Sequence, residues 1–374
     1  MKVDLHPKES LLINAFMLMF IIHSVQAGVG MAGLPRIVYL EAQHDAWISV
    51  FLAGVFTAVV LGLIITMLRQ YDSPDLYGIH LDIFGKWIGN TLSFIYMIYM
   101  SASFFIIFMN YIEIVQVWIF PDLPTWQLAV VLNLLSIYAV YGGIRVIVGV
   151  AFLSVTGTFW LAVVLFVPVQ YGDFTHIFPI MNTDIKHLIR GIHSTTLSMM
   201  GFELIMFVYP FVKEKQKTMI FAQLGNLVTT LVFTAATIIS IVFFASNSLE
   251  KTIWPLLSMF KIVRLPNLER FEFIAVSFWM LIILPNMCLY LWSASKGFSR
   301  IFKGKQKMGI WIIAGITFLG SFFIRARYEM NTATDIVAKA GFYAAFCYPI
   351  LLSLIVLVKK RVYRKETKNA EVPK

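Results

Sequence analysis

The stretch from Gln26 to Pro35, Gln-Ala-Gly-Val-Gly-Met-Ala-Gly-Leu-Pro, constrains this chain more than any other, because it interrupts a long apolar run that begins at Leu11. Glycine costs a helix interior roughly 1 kcal/mol and proline roughly 3 kcal/mol. Three glycines and a proline at bilayer depth therefore predict a locally unwound membrane helix. Freed backbone groups are tolerated at that depth only where they line a protein-enclosed cavity. A broken first span of this kind marks a small-solute site in one transporter-like architecture.

That reading needs a membrane chain, and the composition supplies one. The 374 residues are 59% hydrophobic and 13% charged, against roughly 45–50% and 25% for a soluble domain. Apolar segments of bilayer length, about 20 residues, recur at Leu11 to Leu40, Ala46 to Leu68, Phe84 to Ile112, Trp126 to Tyr141, Ile144 to Val169, Leu188 to Val212, Met219 to Ala245, Phe271 to Ser295, Met308 to Ile324 and Ile336 to Val358. These make about ten spans in a single integral membrane domain, 1–360, followed by a polar basic tail, 361–374, expected to be disordered. The outer segment Ser246 to Arg270, with Trp254-Pro255-Leu256-Leu257, is expected to hold a short helix across the outer mouth.

The formal charge of +10 raises nucleic-acid binding, but its distribution argues otherwise. Lys2, Lys8, Arg69, Lys86, Arg145, Lys213, Lys215, Lys217, Lys296, Arg300, Lys303, Lys305, Lys307 and the tail from Lys359 fall on one side. Lys186, Arg190, Lys251, Lys261, Arg264, Arg270, Arg325, Arg327 and Lys339 fall on the other. The positive-inside rule then places both termini in the cytoplasm, as an even number of spans requires. Lys2 and Lys8 before an apolar run ending Val25-Gln26-Ala27 imitate a signal peptide. The apolar run resumes past the glycines, so the segment reads as an uncleaved first helix. Cys288 and Cys347 each lie inside an apolar span and read as packing residues, not a disulfide framework.

Cut after the fifth span, the chain shows a weak internal symmetry. The first span has its glycine break and Pro35; the sixth has Ser198-Met199-Met200-Gly201-Phe202-Glu203 followed by Pro210. Paired interruptions at corresponding positions of two halves point to a midplane binding site. Five spans separate the copies, so the halves have opposite orientation. The expected fold is an all-α polytopic membrane protein, a LeuT-like five-plus-five inverted repeat with helices one and six broken. Repeat one covers about 11–169 and repeat two about 188–358. Glycine and proline are also common in membrane helices generally, and Gly201 could serve close helix packing alone.

Gly28, Gly30 and Gly33 formally match the dinucleotide fingerprint G-x-G-x-x-G, but no strand precedes them and no soluble βαβ unit surrounds them. What they offer is backbone N–H groups beside a half-helix N-terminus, suited to a carboxylate. An amino acid, with its ammonium on freed carbonyls, is the natural ligand class. Glu203 falls just past the second break; a carboxylate at a helix centre costs about 2.5–3.5 kcal/mol on the insertion scale, so it is expected to face the interior with a partner or a proton. It reads either as a ligand-amine, cation or proton site or as a structural crosslink. Span three adds Tyr96, Tyr99 and Met100, with Tyr96 and Met100 on one face; span eight adds Asn286 and Tyr290 after Pro285. His23 could relay protons or simply pack, and Glu113, Arg145 and Lys339 lie near span ends. No H-e-x-x-h metal spacing and no nucleophile elbow occur, so neither an enzyme nor a cofactor is expected.

The broken span with Gln26, Gly28, Gly30 and Leu34-Pro35, then Gly201-Phe202-Glu203, Tyr209-Pro210, Trp254-Pro255 and Glu269-Arg270-Phe271-Glu272 in order, resembles the B subunit of bacterial spore germinant receptors, the GerAB type, within the amino acid, polyamine and organocation transporter superfamily. The resemblance covers nearly the whole chain. It implies residence in the spore inner membrane, assembly with A and C subunits, and recognition of a small germinant, often an amino acid, with a sugar or nucleoside as other possibilities. Membrane lipid is the remaining partner. On this reading backbone at Gly28, Gly30 and Ala32 holds the germinant carboxylate. Met200, Gly201 and Glu203 form the opposing wall, while Tyr96, Met100, Asn286 and Tyr290 shape the side-chain pocket. Transporting relatives commonly carry a small hydroxyl residue between the span-one glycines; Val29 and Met31 flank Gly30 here, which argues against coupled transport. A proton- or cation-coupled amino acid permease and a non-binding scaffold for the receptor subunits remain the alternatives.

Overall fold

The computed structural model describes residues 3–264, 270–324 and 326–370. Glu269 of the outer charged run, Arg325, Lys2 and the last four tail residues lie outside the described residues. Among those described, the chain is helical, with only two isolated bridges, Asp4 to Pro74 and Ile13 to Val212.

The first span is broken as the glycines require. Helix α1 (Met17–Gln26) and α2 (Leu34–Ala42) are separated by one tight turn at Val29–Ala32. Pro35 stands in the first turn of α2, where its missing N–H costs nothing and its fixed φ favours helix entry. The second span is α3 (Ala46–Leu68). The third is α4 (Leu76–Trp118), which starts earlier than the apolar run did because a short helix precedes a bend at Gly85, φ 71°. The first half ends with α5 (Thr125–Tyr141) and α6 (Ile144–Val164).

The second half repeats the plan. Helix α7 (Ile185–Ser198) and α8 (Ile205–Val208) belong to the sixth span, whose limbs 185–198 and 202–211 are bent by 50°. Then come α9 (Thr218–Phe243), two short helices α10 (Ser246–Lys251) and α11 (Pro255–Phe260) where one was expected, and α12 (Phe271–Phe302). Helix α12 continues through Pro285. Helix α13 (Gln306–Gly320) leads to α14 (Arg327–Phe342) and α15 (Tyr348–Ala370), which one π-turn, Tyr343–Cys347, joins into the tenth span. The last helix continues to Ala370, so it runs on through much of the segment that composition marked as a disordered tail.

Among the described residues, six helical runs are long and apolar enough to cross a membrane, the bent pair makes a seventh, and α1, α5 and α13 are shorter apolar helices. The most extensive packing joins α4 to α12 and α3 to α9. These are the third with the eighth span and the second with the seventh, the counterparts that a twofold relation between inverted halves brings together. At the α3–α9 contact Gly54 lies so close to the Thr230 side chain that no Cβ fits between them.

Segments near both ends of the chain meet one face: Asp4 bridges Pro74, and the Lys360 Nζ lies 4.2 Å from the Tyr71 ring centroid. On that face a single tight turn, Glu9–Leu11, is followed by extended chain at Leu12 and Ile13 instead of a helix continuous from Leu11, because the backbone there pairs elsewhere. Ile13 N–H donates to Phe211 O at 2.8 Å, and Lys213 N–H donates to Ile13 O at 2.9 Å. Ala15 N–H donates to the Glu214 carboxylate at 2.9 Å. The start of span one is thereby tied to the end of span six.

Candidate functional site

The two breaks face each other. A Cβ on Gly30 would lie 3.1 Å from Ser198 Oγ, the last residue of α7. Gly201 then turns the chain at φ 109°, a conformation open to glycine, and a Cβ there would meet Val25 O of α1 at 2.6 Å. Gly201 therefore serves both the turn and the close approach.

This turn delivers Glu203 into the interior, where it is fully buried. One carboxylate oxygen accepts the Gly201 N–H at 2.7 Å. The other accepts the Tyr99 hydroxyl of α4 at 2.9 Å and the Tyr290 hydroxyl of α12 at 3.0 Å. Among the described residues no basic side chain pairs with Glu203. Hydrogen bonds to a charged acceptor contribute about 1.5–3 kcal/mol each, so three of them offset an insertion cost of about 2.5–3.5 kcal/mol. The carboxyl group joins spans three, six and eight at one point.

Tyr96 stacks edge-on against Tyr99, ring centroids 5.7 Å apart, and donates its hydroxyl to Ala344 O at 2.7 Å. The local sequence explains that acceptor. In the π-turn the Tyr348 N–H goes to Tyr343 O, and the residue five past Ala344 is Pro349, which has no N–H to give. Ala344 O is left free, and Tyr96 takes it.

Asn286 Nδ2 donates to Ser24 O in the last turns of α1 at 2.8 Å, and a Cβ on Gly28 would lie 3.4 Å from the same nitrogen. Met200 packs on α14 at Gly341, where a Cβ would lie 2.5 Å from its sulfur. Ala32 and Met100 are fully buried. Gly30 and Gly201 thus each abut the other break, Tyr99 and Tyr290 meet at Glu203 with Tyr96 packed on Tyr99, Asn286 and Gly28 form a contact of their own, and Ala32 and Met100 are buried without a polar contact to Glu203.

Two contributors stand outside the pocket expected from sequence. Tyr99, beside Tyr96 and Met100 on span three, is the α4 residue that reaches Glu203. Gln26 Nε2 bridges Asn226 Oδ1 of α9 at 3.0 Å and Met199 O at 3.3 Å, while Asn226 Nδ2 donates to Gly54 O at 3.1 Å. The polar set Asn226, Thr229 and Thr230 inside an apolar span was the available signal. His23, one relay candidate, has its Nδ1 2.9 Å from Thr229 Oγ1. Cys288 is buried and both cysteines are free.

Two cavities lie at opposite ends of the broken spans. One of about 380 Å³ is lined by Glu41, His44, Asp184 and His187 among others. Another of about 620 Å³ lies on the face bearing the termini, beside Asp72, Lys213, Glu214 and Lys215. There the Ala15 N–H holds the Glu214 carboxyl below its ordinary value, with partial burial opposing and Lys217 and Lys213 assisting.

Residues 12–330 match the spore permease family, described as spore germination protein. The chain is 36% identical over 352 residues to spore germination protein GerQB of Bacillus cereus, covering 94% of this chain and 98% of that one. Spore germination protein YndE of Bacillus subtilis (strain 168) is 26% identical over 91% of this chain and 95% of its own length. Among solved structures, a substrate-bound Na+-coupled sialic acid symporter in an outward-open state superposes with a TM-score of 0.65 at 14% identity, covering 88% of this chain and 76% of that one. MhsT in complex with L-phenylalanine gives 0.58 at 15% identity, covering 91% and 87%. Both are LeuT-fold transporters, and the chain shares that fold.

Proposed function

The chain belongs to the spore germination protein family, and we propose that within it this protein is the nutrient-sensing B subunit of a germinant receptor in the spore inner membrane. It binds a small germinant, an amino acid by the chemistry of the site, between the two unwound segments, and it works alongside A and C subunits. The family is one of germination proteins, not of enzymes. The observation that carries the reading is that the two breaks abut, Gly30 against Ser198 and Gly201 against Val25 O, and that the second break carries a buried carboxyl group, Glu203, held by Tyr99 and Tyr290.

Backbone around Gly28, Gly30 and Ala32 receives the germinant carboxylate. Glu203 receives its ammonium, for which the Tyr99 and Tyr290 hydroxyls must yield. That exchange couples ligand to conformation, because the same hydroxyls tie α4 and α12 to the sixth span. Signalling requires that the germinant bind one conformation better than the other; equal binding to both shifts nothing. Both termini face the cytoplasm, as the charge distribution favours.

Equilibrium binding of a panel of labelled amino acids to the purified protein in lipid nanodiscs tests this. At least one is expected to bind the wild type and to lose binding in Gly30→Leu, which fills the space against Ser198. Binding that survives Gly30→Leu in a folded protein removes the site from between the breaks. Uptake into vesicles with no effect on germination assigns a permease instead.

A further inference from the structure

The larger of the two cavities, about 620 Å³, is walled by three separate stretches of chain. Leu5, His6 and Leu12 come from the segment before span one, Asp72 and Ser73 from the turn before α4, and Pro210 to Lys217 from the segment after span six. Its volume lies within the roughly 300–1,000 Å³ of small-ligand pockets. Lys213, Lys215 and Lys217 all line it.

The two carboxylates on the same wall are already engaged. Glu214 accepts the Ala15 N–H at 2.9 Å, and Asp72 lies 3.8 Å from His6 Nδ1. Lys215 donates its ammonium to the backbone oxygen of Asp72. Lys213 and Lys217 stand in no ion pair among the described residues. Arg69 brings a further positive charge to the rim, donating to Gln216 O at 2.8 Å.

The backbone adds to this field. Neither the tight turn Lys215–Lys217 nor α9, which follows it, has a side-chain cap at its N-terminus. Uncapped N–H groups at the start of a long helix carry partial positive charge and favour anions. Thr218, the first residue of α9, is fully buried, and its Oγ1 has no hydrogen-bond partner among the described residues. A basic edge that merely obeys the positive-inside rule needs neither a cavity nor lysines gathered around it. Groups that remain unengaged on this wall are cationic donors, so the matching ligand is an anion. A phosphate group fits best, because its several oxygens can meet separated lysines at once.

We propose that this cavity binds a phosphate group, carried by a phospholipid headgroup or free in solution, with Lys213 and Lys217 as its main charge contacts. An occupant touches the chain before span one and the chain after span six together. Ile13 and Ala15 already pair there with Phe211 and Glu214, so the anion forms a second bridge between the two broken spans. The site goes beyond the sensing role and does not rest on it.

Isothermal titration calorimetry of the full-length protein in maltoside micelles, with no amino acid present, tests the site. Inorganic phosphate and short-chain phosphatidylglycerol are the separate probes. At least one is expected to bind the wild type and to bind the double variant Lys213→Gln, Lys217→Gln at least tenfold more weakly, as the loss of charge-assisted contacts requires. Both side chains are exposed, so the double variant is expected to keep the wild-type melting temperature. The control Lys303→Gln, Lys305→Gln removes the same charge outside the cavity and is expected to bind as the wild type does. Binding of inorganic phosphate shows that the free anion suffices; binding of phosphatidylglycerol alone assigns a lipid headgroup. Three results overturn the proposal: neither probe binds, binding is undiminished without Lys213 and Lys217, or the control variant loses as much.

Discussion

At the scale of single residues, the account turns on what Glu203 costs and what satisfies it. Tyr99→Phe and Tyr290→Phe each remove one hydroxyl and no volume, so each is expected to lower stability by about 1.5–3 kcal/mol, read from denaturant unfolding in detergent. With Glu203 replaced by Gln the same tyrosine changes should cost much less; equal losses in both backgrounds would show that the hydroxyls matter for some other contact. Gly201→Ala is expected to cost about 1–3 kcal/mol for the positive φ alone, with more from the approach to Val25 O at 2.6 Å. A neutral result in the same assay would contradict the turn. Glu203, Gly201 and Tyr290 were legible in the sequence because a carboxylate, a glycine and a tyrosine in apolar spans stand out by type. The link from Tyr99 to Glu203 was not, since choosing between Tyr96 and Tyr99 needs the helix rotation that only packing fixes.

At the scale of elements, two contacts tie the first half of the chain to the second. Helix α3 meets α9 at Gly54, where Thr230 occupies the place of a side chain. Gly54→Val is expected to destabilise by about 1–3 kcal/mol through overpacking, while Gly157→Val on α6, where a Cβ meets nothing within 4 Å, is expected to be near neutral; thermal unfolding of the pair compares them directly. The second contact is the tie between Ile13, Ala15, Phe211 and Glu214. The Glu214 carboxyl is held below its ordinary value of 4.5, so its contribution is complete above that value and is lost as pH falls through the lower folded one. The wild type is therefore expected to lose stability on acidification in a way that Glu214→Gln does not, the two converging at low pH. Parallel pH profiles would remove the charge from the latch. The two breaks were readable because glycine and proline oppose helix by chemistry alone. The bend at Gly85, the extended start at Ile13 and the paired outer helices were not, because each depends on a partner distant in sequence.

At the scale of the whole molecule, the inverted repeat explains why interruptions five spans apart meet at one place, and why α4 with α12 and α3 with α9 form the main packing pairs. That architecture was legible from ten apolar segments and two Gly/Pro breaks, since segment length and an odd spacing fix orientation. The ligand was not, because selectivity depends on side-chain directions at a site whose hydroxyls now bond Glu203. The most direct test of nutrient sensing is release of monovalent cations from spores that lack the protein, compared with spores restored with wild type or Gly30→Leu, across single amino acids and sugars. The account predicts that the response to one nutrient class disappears on deletion, returns with the wild type, and stays absent with Gly30→Leu at normal protein levels. Full responses in the deleted spores, or in the Gly30→Leu spores, would contradict it.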